Sequence, residues 1–177
     1  MRIVAGKLGG RNFEAPKGEQ THPMSDRARG GMFASLGDIE GLTVLDAFAG
    51  SGALSIEAIS RGAKSATAVE VDFGSIRIIN KNVKSLDIHR QIKVIKKNCS
   101  IWSDKNPEQT FDIVIAAPPY GDLQLKILQK LVRHVSPGGL YILDWPAKLT
   151  APEFQQLETI KSKTYAAAEI VFYRKLT

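Results

Sequence analysis

Two stretches of the chain carry residue types that could do chemistry together. The first is Asp46-Ala47-Phe48-Ala49-Gly50-Ser51-Gly52, which joins a short apolar run to an amphipathic one. Glu70 follows Gly50 by 20 residues, at the end of the next apolar run. Gly50 and Gly52 permit a tight turn whose backbone amides, at a helix start, are open to a ligand. The second is Ala117-Pro118-Pro119-Tyr120, which closes a later apolar run. Proline has no ladder donor, so a strand must stop there.

The glycine turn suits a particular ligand. A phosphate-binding loop needs Gly-Lys-Ser/Thr after its spacer, and Gly52-Ala53-Leu54 lacks it. A dinucleotide fingerprint needs a third glycine where Ser55 stands. Asp46 would repel a pyrophosphate but could hold an ammonium group or a bound water. An acid at the position of Glu70 accepts hydrogen bonds from ribose hydroxyls. Ribose acceptors, no phosphate cradle and an acid near an amino-acid group describe S-adenosylmethionine. The plainer alternative is a tight strand-to-helix turn with a solvated acid beyond it.

The Pro-Pro-Tyr tip suits methylation of an exocyclic amine. Proline fixes its own φ and restricts its predecessor, which orients the carbonyls of Ala117 and Pro118. The lone pair of such an amine is delocalised into the ring. Preorganised acceptors on its two N–H groups help it turn tetrahedral and attack a methyl group. Tyr120 is placed to stack on an extruded base. The alternative is a proline-rich loop that merely ends a strand.

These residues need a scaffold that brings strand ends to one edge. Short apolar runs at Leu42–Phe48, Ser65–Asp72, Ile92–Asn98, Phe111–Ala117 and Gly139–Trp145 are expected strands. Helical periodicity is expected over Ser51–Gly62, from Asp72 to about Leu86, and over Leu123–Val135, the last closed by Pro137-Gly138-Gly139. Thr150 and Glu153 are spaced as a capping box for a short helix. Ala167–Lys175 is a final strand, with Lys161–Tyr165 as its partner. Alternating strands and helices predict an α/β fold, with a mostly parallel sheet, helices on both faces and an antiparallel C-terminal strand. Arg2–Ala5 and Arg11–Ala15, flanking Gly9-Gly10, predict a small N-terminal β-hairpin. Ser25 predicts a helix cap, and the helix should end near Gly37. The expected division is an extension over 1–37 and a catalytic domain over 38–177.

Composition sets outer bounds. The chain has 177 residues, 44% hydrophobic and 24% charged, with a formal net charge of +6. Six basic and three acidic side chains stand in the first 35 residues, which favours a polyanionic partner. Lys81, Lys84, Arg90, Lys93, Lys96 and Lys97 extend a basic face or form an ordinary solvated surface. Cys99 is the single cysteine, which excludes an intrachain disulfide and a cysteine-rich metal site. His22, His89 and His134 are scattered and read as surface residues, so no metal is expected. No apolar stretch reaches the roughly 20 residues needed to span a bilayer, and Met1–Phe13 has no signal-peptide core. A cytoplasmic monomer is expected.

VLDAFAGSGAL, VEVD and a Pro-Pro-Tyr tip, in that order, resemble the class I S-adenosylmethionine-dependent methyltransferases that act on amino groups. MRIVAGKLGGRNFEAPKG, THPMSDRARGGMFASL and LDAFAGSGALSIEAISRGA narrow this. They resemble the bacterial 16S rRNA (guanine-N2)-methyltransferase family, RsmD, and the similarity runs through the terminal EIVFYRK. The resemblance implies that Asp46, Phe48, Ala49, Gly50, Ser51, Gly52, Glu70, Val71, Asn98 and Cys99 line the S-adenosylmethionine site. It implies that Ala117, Pro118, Pro119 and Tyr120 are the catalytic tip, and that Arg2, Lys7, Arg11, His22 and Arg27 grip RNA, either 16S rRNA or a small-subunit assembly intermediate.

The sequence departs from the family pattern. Ala117 stands where the family has Asp, which removes a side-chain acceptor for the target amine. His22-Pro23-Met24 replaces Arg-Pro-Thr, Asp144-Trp145 stands where a glutamate-bearing strand end is expected, and Ala166-Ala167 replaces glycine and a polar residue. Two alternatives stay open: an adenine-N6 methyltransferase on DNA or RNA, and a catalytically silent protein that binds cofactor and RNA. A nicotinamide-dependent oxidoreductase is disfavoured by Asp46 and the missing third glycine.

Overall fold

The computed structural model describes residues 1–16 and 24–177. Seven strands form one sheet: β1 (Thr43–Asp46), β2 (Ser65–Glu70), β3 (Ile92–Lys96), β4 (Phe111–Ala116), β5 (Val135–Pro146), β6 (Leu157–Tyr165) and β7 (Ala168–Lys175). Their spatial order is β3-β2-β1-β4-β5-β7-β6. β1 to β5 are mutually parallel, and β7 enters antiparallel between β5 and β6. The chain leaves β1 toward β2 on one side and returns to β4 on the other. The tips of β1 and β4 therefore flank the crevice in which such sheets bind ligands.

Five helices cover the sheet among the described residues: α1 (Asp26–Leu36), α2 (Ala53–Ser60), α3 (Phe73–Ser85), α4 (Cys99–Lys105) and α5 (Leu125–Leu131), the last continued by a 3-10 turn over Val132–His134. The alternation of apolar side chains along the strands sorts them to two faces. Val44, Ile113, Ile115, Ile142 and Ile170 pack with Met32, Phe33, Ile56, Ile59, Ile79 and Val83 of α1, α2 and α3. Leu45, Val114, Ala116, Tyr141 and Leu143 pack with Trp102 of α4 and Leu128 and Leu131 of α5.

The expected elements are largely present, with three corrections, which concern Thr150, Pro137-Gly138-Gly139 and His134. The small N-terminal hairpin is present: Arg2 and Asn12 form an antiparallel bridge, Ile3 N donates to Arg11 O, Gly10 N to Ile3 O and Phe13 N to Met1 O, each at 2.9 Å, and further groups of the segment bond to helices. Glu57 accepts from Val4 N at 2.8 Å and Ala5 N at 3.0 Å. Ser60 Oγ accepts from Leu8 N at 3.0 Å, and Asn82 exchanges two bonds with the Glu14 backbone. No helix forms after Thr150. The carbonyls of Thr150 and Pro152 instead accept from Trp145 Nε1 and Tyr173 OH. That arrangement drops Phe154 between Tyr141 and Tyr173, each ring centroid 5.4 Å away. The antiparallel end of the sheet stands without that helix, on the β6–β7 hairpin. Pro137-Gly138-Gly139 lies inside β5 at a register shift, not at a helix end. His134 is buried, its ring nitrogens 2.6 Å from Gln109 O and 2.7 Å from Ser103 Oγ, so it is a core residue and not a surface one.

Glu57 is the buried hub of the N-terminal attachment. It also receives Arg61 Nε at 2.8 Å and Arg29 Nε at 3.5 Å, and Arg29 is itself fully buried. Gly6, at φ 84°, passes so close to α2 that a Cβ would sit 1.9 Å from Ser60 O. Replacing Glu57 by Ala leaves the Val4 and Ala5 amides without their acceptor and takes one of two carboxylates from the buried Arg29, which keeps Asp26 at 2.8 Å. It should cost about 3–5 kcal/mol, read as a lower denaturant midpoint. Ala166 begins the two-residue β6–β7 turn at φ 53°, a left-handed conformation that costs an L-residue roughly 1–2 kcal/mol. Ala166→Gly should therefore raise stability by about 0.5–1 kcal/mol net of the glycine's extra freedom when unfolded, a melting shift of about 2 °C.

Candidate active site

The glycine turn is built by three backbone bonds. Ala47 N donates to Ile115 O at 3.0 Å, Ala49 N to Val69 O at 3.0 Å, and Gly52 N to Ala49 O at 2.7 Å. Gly50 and Gly52 take φ of 51° and 77°, which an L-side chain disfavours. Glu70 fastens this turn to the neighbouring strand. Its Oε2 accepts from Gly50 N at 2.7 Å, and its Oε1 from Val71 N at 2.7 Å and Asp72 N at 2.8 Å. Oε1 is thereby filled, while Oε2 keeps one lone pair for a further donor.

Asp46 lies at the tip of β1 and is completely buried. Its Oδ2 accepts from Ser55 Oγ at 2.8 Å and from Ser55 N at 3.1 Å, joining the strand tip to the first turn of α2. Its Oδ1 is buried with no hydrogen-bond partner among the described residues. Burial pushes this carboxyl up to about 6; the two Ser55 bonds oppose the shift, and the nearby Glu70 charge adds to it. A buried carboxylate oxygen without a donor is the vacancy that an ammonium group or a water held with a ligand would fill.

The other expected pocket residues separate into those that face outward and those that brace from behind. Phe48 is half-buried, whereas Ala49 and Ser51 are buried. Val71 is exposed beside Phe73 just past Glu70, and Ile101 is exposed near Asn98. Asn98 caps α4 through Oδ1, which accepts from Ser100 N at 2.9 Å, and its amide NH₂ is left for another acceptor. It borders a cavity of about 600 Å³ with Asp122–Gln124 after β4 and the first turn of α5. Cys99 turns the other way. Its Sγ is buried and donates to Ala47 O at 2.6 Å, and burial pushes the thiol up to about 12. It braces the turn from within the core and is no nucleophile.

Ala117 is half-buried, Pro118 buried, and Pro119 and Tyr120 exposed. Pro119 O accepts from Asp122 N at 2.9 Å and closes a turn. Pro118 O receives no bond among the described residues, which leaves it as an acceptor at the crevice. Tyr120 is less free than a stacking role alone requires. Its hydroxyl donates to Asp144 Oδ1 at 2.6 Å and lies 3.2 Å from Trp145 O. Burial, and then the Asp144 carboxylate, push its hydroxyl far above the ordinary tyrosine range. Burial likewise raises Asp144, against the Tyr120 bond. In the sequence Asp144 stands out only as a departure from the family pattern, and its signal is a lone carboxylate in an apolar strand.

The expected RNA-contacting residues fall in different places. Arg27 is exposed on the first turn of α1. Lys7 N donates to Ser60 O and Arg11 Nη2 to Ser85 O, so both residues sit where α2 and α3 end, at the sheet edge opposite the glycine turn. Arg2 is exposed on the outer side of the hairpin, and His22 lies outside the described residues. Among the described residues, no group of three or more His, Cys, Asp and Glu side chains could hold a metal ion, and no helix is long and apolar enough to cross a membrane.

This strand order, with a glycine turn after β1, an acid ending β2 and a rigid tip on β4, defines a class I S-adenosylmethionine-dependent methyltransferase. The chain belongs to the RsmD family: the family model described as conserved hypothetical protein 95 matches residues 1–174. It is 29% identical over 99% of both chains to YlbH of Bacillus subtilis (strain 168), provisionally named an rRNA methyltransferase. It is 34% identical to ribosomal RNA small subunit methyltransferase D of Escherichia coli (strain K12), over 68% of this chain and 60% of that protein. The solved structure of yhhF from Escherichia coli, provisionally called a methyltransferase, superposes with a TM-score of 0.86 at 26% identity, covering 100% of this chain and 98% of that one.

The buried Asp46 charge generates a measurable opposition between stability and binding. Its raised pKa makes the protonated folded form the stable one. That contribution is complete below the unfolded value of 3.8 and lost as pH rises through about 6. At pH 7 the ionised group costs about 3 kcal/mol by this shift. Asp46→Asn should raise the melting temperature of the ligand-free protein at pH 7, and the gap to the unaltered protein should narrow as pH falls through 6. The same change should weaken S-adenosylmethionine binding at least tenfold by calorimetry, since the free carboxylate oxygen is gone.

Proposed function

We propose that the protein methylates the exocyclic N2 amine of a guanine in small-subunit, 16S rRNA. The observation that carries this reading is the juxtaposition of the free Pro118 carbonyl at the β4 tip with Asp46 at the β1 tip, on strands paired through Asp46 and Ile115. The names of the relatives, ribosomal RNA small subunit methyltransferase D among them, support the substrate class.

S-adenosylmethionine supplies an electrophilic methyl group. The residues present fit it: Asp46 Oδ1 lacks a donor that an ammonium group provides, and Glu70 Oε2 keeps a lone pair for a ribose hydroxyl. Val71 and the Asn98 amide would bound the adenine, and the Ser51 amide, the donor of the turn that Glu70 and Ala49 leave free, would face the ligand's polar part. Pro118 O would accept one N–H of the target amine and so favour its tetrahedral form. Tyr120, exposed along its ring and pinned at its hydroxyl, would offer a fixed face to a base drawn out of its helix. Arg27, exposed on the first turn of α1, would take phosphates there. Lys7 and Arg11, with Arg2 and the basic α3–β3 edge, would reach more distant ones, so the extension over 1–37 would act as an RNA grip in more than one place.

One observation favours a second reading. Ala117 offers no side-chain acceptor, as a silent cofactor- and RNA-binding protein would have it. The two separate on incubation with radiolabelled S-adenosylmethionine and small-subunit rRNA or assembly intermediates from cells lacking this methylation. Label on guanine N2 from the unaltered protein is the expected result. Label from an Ala117→Asp protein alone belongs to the silent reading. Label on adenine N6 would replace the guanine assignment.

A further inference from the structure

Ala117 leaves the β4 tip without the carboxylate that its position calls for, yet a carboxylate stands one strand away. β4 and β5 run parallel, with Ala116 opposite Leu143 as their last paired step. The next residues along are Ala117 and Asp144, which are therefore lateral neighbours. Both lie on the sheet face that carries Asp46. Val44, Ile115 and Ile142 occupy that face two residues before Asp46, Ala117 and Asp144, and Ala117 packs against the same cluster. Asp144 is buried to 8% exposure. Its Oδ1 is held by the Tyr120 hydroxyl at 2.6 Å. Its Oδ2 has no protein donor among the described residues, and the side chain is not sealed from solvent, so this oxygen is free to accept. Tyr120 thus aims the carboxylate from the very tip on which the target base would rest.

We propose that Asp144, positioned by Tyr120, supplies the side-chain acceptor for the target amine that Ala117 cannot. The acceptor has moved sideways from the tip of β4 to the tip of β5. Pro118 O and Asp144 Oδ2 then take the two N–H groups of one amine. When the nitrogen gains its methyl group it sheds one proton, which the Asp144 carboxylate takes up and returns to water through its exposed edge. A buried acid on an interior strand, bonded to a single tyrosine, has no other partner to justify its place among the described residues.

The assignment rests on the amine-methylation reading above, and four proteins test it: unaltered, Asp144→Asn, Ala117→Asp and the double variant. Asparagine is isosteric and still accepts from Tyr120, so the fold is kept. Single-turnover labelling of RNA should fall on the order of 10²-fold in Asp144→Asn, with S-adenosylmethionine affinity and melting temperature close to those of the unaltered protein. Adding Ala117→Asp to that variant should restore at least tenfold of the loss, because either strand tip can present the carboxylate. Labelling by Asp144→Asn within threefold of the unaltered protein overturns the assignment. So does a loss that comes with weakened cofactor binding and is not rescued by Ala117→Asp, since Asp144 would then be a packing residue. If the unaltered protein binds cofactor but labels no RNA, the amine-methylation reading itself fails, a result separate from both.

Discussion

The carboxylate of Asp46 joins the two halves of the molecule's chemistry. One oxygen ties the end of a central strand to the start of α2 through Ser55, and so sets the angle at which the glycine turn leaves the sheet. The other oxygen is buried without a donor. A protein interior tolerates such a group only where something compensates for it. Here the neighbours make matters worse, because the Glu70 charge adds to the burial penalty. Glu70 in turn cannot move away, since three backbone amides hold it and with it the shape of the turn. The turn is thus held rigidly around a buried carboxylate oxygen that has no donor among the described residues, and a cationic group bound there would relieve it.

The sheet and its edges were legible in the sequence because they depend on local rules. Ser25 caps α1 by accepting from Ala28 N at 3.1 Å, and Gly37 ends it. The apolar runs became β1 to β5 and β7 within a few residues, apart from the Pro-Gly-Gly that opens β5. The failures lie where a distant partner outbids a local preference. Thr150 and Glu153 have the spacing of a helix start, but two aromatic donors claim the carbonyls of that segment. α4 escaped notice because seven residues give periodicity little to act on, although Asn98 and the following amides form an ordinary cap. His134 carries no sign of burial in its own neighbourhood; Gln109 and Ser103 supply it from 25 and 31 residues away.

The site divides in the same way. Asp46, the glycines, Glu70 and the proline tip announce themselves by type and order, because one edge of a parallel sheet must collect them. Cys99 was placed beside the ligand by its position after Asn98, yet the first turn of α4 rotates its thiol into the core. The basic residues of the first segment were grouped by sequence and are divided by space. Glu57, which decides where that segment lies, reads in sequence as one more polar residue on a helix; nothing local reveals that it is 1% exposed and holds two arginines.

The attachment of residues 1–16 has a consequence for how the chain acquires its structure. Val4 and Ala5 find their acceptor 53 and 52 residues later in Glu57, and Glu14 finds its partner 68 residues later in Asn82. Contacts of such separation form late, since the intervening loop must first be closed. At the roughly 5–20 residues per second of synthesis, these opening residues leave the ribosome several seconds ahead of the helices that hold them. Ile3 and Phe13, which finish fully or almost fully buried, have no core to enter until those helices exist. This segment can dock only after α2 and α3 have been made, and its docking closes one face of the core over them.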